Sequence, residues 1–84
     1  MRREPFFPSE VTGQAVTATL TGNTRVYIEQ HQGLVGYTEE EVLFRTKEGT
    51  LRIGGKALRF ALYTAQEAVV TGEIEQITML GGGK

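Results

Sequence analysis

Acid–base or metal chemistry in this chain would have to start from one imidazole. His31 is the single histidine, and Glu29 stands just before it in Glu29-Gln30-His31-Gln32-Gly33. General acid–base work needs a second titrating group with a contrasting pKa beside the first. A metal centre needs several converging ligands. One histidine among scattered glutamates meets neither need, so His31 reads as a loop residue whose ring caps backbone groups or packs at an interface. Nucleophiles are equally scarce, since Ser9 is the only serine and aspartate and cysteine are absent. Gly54-Gly55-Lys56 lacks the spacing, the hydroxyl residue after lysine and the following helix of a phosphate loop. These residues predict a protein that is not an enzyme, with no catalytic residue, metal or cofactor.

One binding chemistry is open to the sequence. Tyr27, Tyr37 and Tyr63, with Arg25, Arg45, Arg52 and Arg59, could form a stacking face like that of a small nucleic-acid-binding β-barrel. That is the alternative function. The charge balance weighs against it, because 9 basic and 10 acidic residues are interspersed to a net charge of −1. A phosphate backbone is attracted by a basic stripe, and none is visible.

The elements that must position these residues are strands. Apolar and polar residues alternate with period two, as in Glu41-Val42-Leu43-Phe44-Arg45-Thr46, and glycine-bearing turns punctuate the runs. The pattern predicts about eight short strands, over 15–21, 25–29, 34–38, 41–46, 50–53, 57–63, 68–71 and 73–80. Gly22-Asn23 and Lys47-Glu48-Gly49 read as hairpin turns. Leu58, Phe60 and Leu62 are expected to point inward. In the last strand Ile74 and Ile77 lie three apart, so a bulge is expected near Glu75-Gln76. Thr64 could cap a single helical turn ending at Glu67. The fold class is all-β, a small antiparallel meander closing into a sandwich or barrel-like domain.

With 84 residues the chain makes one domain. A chain of that size buries only about 60–65% of its unfolded surface, so its stability is marginal and a partner is a natural support. Residues 1–14 read as an extended N-terminal segment, 15–80 as the β domain and 81–84 as a flexible tail. The first residues have no apolar core of signal-peptide length. Nothing in the chain is apolar enough to span a bilayer.

A set of residues along this pattern resembles a known family. They are Leu20, Gly22-Asn23, Val26-Tyr27-Ile28-Glu29, His31, Gly33-Leu34, Tyr37-Thr38, Thr46, Gly49, Leu51, Ile53, Gly55, Leu58, Gly72, Ile74 and Ile77. In this spacing they resemble the YabP/YqfC family of sporulation proteins, and the Glu29–His31–Gly33 loop resembles its YqfC-like branch. The chain departs from that branch at Gln30, where an asparagine is usual, and at Gln14-Ala15, where a proline is usual. The resemblance implies a non-enzymatic interaction or scaffold protein of endospore formation. It would be made in the mother-cell cytoplasm and act near the forespore outer membrane through a partner. Its partners would be a second copy of itself, a YqfD-like membrane protein, or both. No nucleic acid and no direct membrane insertion are expected.

Partner contacts are expected at strand edges. The first strand, with Thr17, Thr19 and Thr21, has no charge from Gln14 to Asn23, and charge is a common device for blocking an edge. Thr78 in the last strand and the tail aromatics Phe6 and Phe7 complete the expected contact set.

Overall fold

A computed structural model describes residues 15–81, so Phe6 and Phe7 lie outside the described residues. It contains six strands and no helix: β1 (Thr17–Thr21), β2 (Arg25–Glu29), β3 (Leu34–Tyr37), β4 (Glu41–Thr46), β5 (Gly49–Tyr63) and β6 (Glu67–Leu80). All pair antiparallel in one sheet of order β1-β2-β6-β5-β4-β3. The expected all-β antiparallel class holds, with two differences. The sheet is not closed, because β1 and β3 stand at its two ends without pairing to each other. Six strands replace eight, because β5 and β6 each run through glycines that the pattern reads as chain breaks.

Those glycines bend the strands instead of ending them. At Gly55 a Cβ would overlap the Glu73 carbonyl of the neighbouring strand. Gly72 has φ +133°, and a Cβ there would come within 2.6 Å of the Ala57 carbonyl oxygen. Only a residue without a side chain lets the two backbones approach so closely. The β5–β6 register slips between Gly54/Gly55 and Lys56/Arg59 at the same level, and Ala57 takes φ 53°. The first slip leaves Glu75 as the extra residue, which is the bulge that the Ile74/Ile77 spacing requires.

The bend folds one half of the sheet over the other. β4 pairs with β5 from Gly49 to Gly54, whereas β2 pairs with β6 from Glu67 to Thr71. Side chains from both halves still share one core: Val26 and Ile28 of β2, Val42 and Phe44 of β4, with Leu51, Ile53, Leu58, Ala68, Val70 and Ile74 of the long hairpin. Phe44 pairs with Leu51 yet meets Phe60 edge-on at 6.1 Å. In a straight strand those two β5 positions would lie roughly 30 Å apart.

Three hairpin turns are closed by threonine hydroxyls. Thr38 accepts from the Glu40 N–H, Thr46 from those of Glu48 and Gly49, and Thr64 from those of Gln66 and Glu67. A short hydroxyl can copy a backbone acceptor at a turn. Thr64 therefore caps a β-turn, not the helical turn its spacing suggests. The first turn is also longer than read, with Gly22, Asn23 and Thr24 between Thr21 and Arg25. Leu62 does not point inward. The register skips Ala61, so Leu62 pairs with Val69 on the outer face and is 42% exposed.

The bend makes a prediction. Gly55→Ala should cost more than about 3 kcal/mol or prevent folding, because the neighbouring backbone must move. Gly36→Ala, whose Cβ would meet Leu43 Cδ1 at an ordinary 3.7 Å, should change stability by about 1 kcal/mol or less. Urea unfolding of the two variants checks the difference.

Candidate functional site

The link from β2 to β3 holds the one residue that could do acid–base chemistry. Gln30, His31, Gln32 and Gly33 lead from the second strand of the order to the last. In a flat sheet those strands would lie about 19 Å apart. Five Cα steps reach at most about 16–18 Å when fully extended. The link is not extended, since Gln30 has φ 68° and Gly33 φ 138°. It can make the crossing because the sheet is folded.

Both halves grip the link. The N–H groups of Gln30 and His31 donate to the Gln66 carbonyl at 2.7 and 3.2 Å. On the other side the Gln32 N–H donates to the Arg45 carbonyl at 2.7 Å, and the Arg45 N–H donates to the Gly33 carbonyl at 2.8 Å. The His31 ring lies between them and is 2% exposed. Its Nδ1 accepts from the Gly33 N–H at 3.1 Å, which makes Nε2 the protonated nitrogen, donating to the Glu67 carbonyl at 3.2 Å. The ring also packs on Phe44 at 5.0 Å and stacks on Tyr63 at 5.2 Å. Both nitrogens face backbone groups, so this imidazole caps the chain, as the sequence suggests. The row continues through Phe60 to Tyr37, whose hydroxyl donates to the Leu58 carbonyl at 2.7 Å. Sequence spacing could not assemble this row, because its members come from the link and from three strands.

Glu29 and Gly33 flank His31 with different tasks. The Glu29 carboxylate accepts from the Thr17 hydroxyl at 2.9 Å and ties β1 to β2, while Gly33 carries the turn. Tyr27 lies on the outer face of β2. Loss of hydration there, then the charges of Glu67 and Glu29, push its phenol above the ordinary 10.0. Tyr37 and Tyr63 belong instead to the row beside the core, paired with Val42 and Ala68. The three tyrosines therefore do not share a stacking face. Arg52 is engaged as well, in an ion pair with Glu41 and a hydrogen bond to Gln76. Among the described residues no three potential metal ligands cluster.

The expected edge residues fall in two places. Thr17, Thr19 and Thr21 lie on β1, one of the two outermost strands, and all five of its side chains are exposed. Thr78 lies on β6, inside the order, opposite Arg52. The other outermost strand is β3, where Leu34 and Val35 are 40% and 51% exposed. Its ladder slips between Leu34 and Gly36, and no local residue pattern marks it as an outer strand.

A family model described as the YabP family matches residues 12–84. The chain belongs to the YabP family. Within it, this YabP-family chain is 30% identical over 70 residues to the uncharacterized protein YqfC of Bacillus subtilis strain 168, covering 83% of this chain and 75% of that protein. No solved structure matches the chain. The match spans Glu29 at the end of β2 and the link just described, with His31 and Gly33 in it.

Three variants test the site's geometry. His31→Ala should cost about 2–4 kcal/mol, through the cavity and the backbone groups it leaves without partners, and Tyr37→Phe about 0.5–1.5 kcal/mol. Denaturant unfolding measures both. A raised value means that the folded state favours the protonated phenol of Tyr27. Its contribution is complete below pH 10.0 and is lost as pH rises through the folded value. Tyr27→Phe should flatten the alkaline fall of a stability–pH profile.

Proposed function

We propose that the chain is a non-enzymatic interaction module of endospore formation that binds partners through its outer strands. Membership of the YabP family supports a sporulation-related protein. The observation that carries the finer reading is the character of the two outer strands. β1 and β3 contain no charged residue and no proline, and Leu20, Leu34 and Val35 stand exposed on them. Strand edges of that kind accept a further strand through main-chain hydrogen bonds. The one histidine is meanwhile engaged in holding the link, which supports a role without catalysis.

The partner is a second copy, a YqfD-like membrane protein, or both. The module works in the mother cell at the forespore outer membrane, and its membrane attachment comes through that partner. No helix among the described residues is long and apolar enough to cross a membrane.

Charged substitutions on the outer strands test the reading. Thr19→Lys and Val35→Lys place a charge on exposed positions and should leave stability within about 0.5 kcal/mol. At least one of them should lower spore yield and co-purification with the co-expressed membrane partner. Wild-type sporulation and co-purification in both variants would overturn the proposal.

A further inference from the structure

We propose that β1 pairs with β1 of a second copy, antiparallel about a two-fold axis through Thr19, giving a closed dimer. The inference rests on the reading that outer strands are the binding parts, and names the occupant and its register.

The available backbone groups come first. On β2 the residues that face β6 are even-numbered: the Gln30 N–H donates to Gln66 at 2.7 Å, and the Gly72 N–H donates to the Thr24 carbonyl at 3.2 Å. Backbone groups of an antiparallel strand alternate between its two neighbours. Arg25, Tyr27 and Glu29 therefore face β1 and bond Thr21, Thr19 and Thr17. This leaves the N–H and C=O groups of Ala18 and Leu20 directed away from β2, where no strand lies among the described residues.

Symmetry then selects the occupant. In a two-fold contact a patch meets itself, so a charged edge would oppose its own charge. No charged residue occurs from Val11 to Thr24, and β1 pairs with β2 without a bulge. β3 is less suited, since its ladder slips between Leu34 and Gly36. A register centred on Thr19 sets Ala18 against Leu20 twice, so the four free backbone groups of each copy pair with those of the other. It matches a small side chain with a large one and covers Leu20, which is 48% exposed. On the opposite face Thr17 meets Thr21 and Thr19 meets Thr19. Registers centred on Ala18 or Leu20 would place two alanines or two leucines together and shift the pairing off the strand. Because the pairing is isologous, it closes at two copies and does not propagate. The contact is small, so association depends on concentration.

The chain contains no cysteine, so Thr19→Cys introduces the only thiol. At the axis the two Thr19 positions form the closer, non-hydrogen-bonded type of pair, within reach of a disulfide. Full-length Thr19→Cys should give a reducible dimer under mild oxidation, faster than Val35→Cys. Light scattering of the unmodified chain should shift from monomer to dimer mass with concentration, and Thr19→Lys should abolish the shift while keeping the folded circular dichroism spectrum. A strict monomer, or crosslinking through Val35→Cys in preference to Thr19→Cys, overturns the inference. If the chain is monomeric but Thr19→Lys still blocks the membrane partner, β1 serves that partner and only this inference falls. If no outer-strand charge alters any association, the proposed function falls with it.

Discussion

Four residues carry the backbone from the second strand of the sheet to the last, and that gap can be crossed only if the sheet is folded. The fold needs close approach of two backbones, at Gly55 against Glu73 and at Gly72 against Ala57. Once the halves face each other, Val26, Ile28, Val42 and Phe44 share one apolar interior, and the link need not stretch. The bend and the link are therefore one constraint. The bend brings the halves together, and the link, hydrogen-bonded to Gln66 on one side and Arg45 on the other, holds them there.

His31 is the side chain at that joint. A buried imidazole needs partners for its ring nitrogens, and the Gly33 N–H and the Glu67 carbonyl supply them. Its ring then fills the space between Phe44 and Tyr63. The same arrangement gives Glu29, His31 and Gly33 a mechanical meaning. The glutamate fastens the outer strand, the histidine bridges the halves and the glycine turns the chain. All three residues are thus part of this chain's architecture.

Much of the fold was legible in the residues, because alternation over 25–29 and 41–46 is a local property of strands. The bulge at Glu75 was legible too, since Ile74 and Ile77 cannot face one way without it. The bends were not. Gly54-Gly55 and Gly72 look the same in sequence whether they end a strand or let two backbones touch, and only the facing residues Glu73 and Ala57 decide. Alternation points Leu62 inward for a related reason: the skip at Ala61 has no residue signature. For the site, a capping role for His31 could be inferred from the lack of a second titrating group. Its partners could not, because Glu67 lies 36 residues away and meets the ring only through the fold. The low charge of the first strand was visible, whereas the outer position of β3 depends on the crossing.

This account makes the crossing a part of the global fold. A loop that merely lay on the surface would open on its own, whereas a joint between the halves opens only when they separate. Native-state amide hydrogen exchange separates the two directly. The N–H groups of Gln30, His31, Gln32 and Leu58, bonded to Gln66, Gln66, Arg45 and Glu39, should exchange only through the global unfolding that also frees Val26 and Ile28. Exchange of the link amides through local opening, well below the global free energy, would contradict the account.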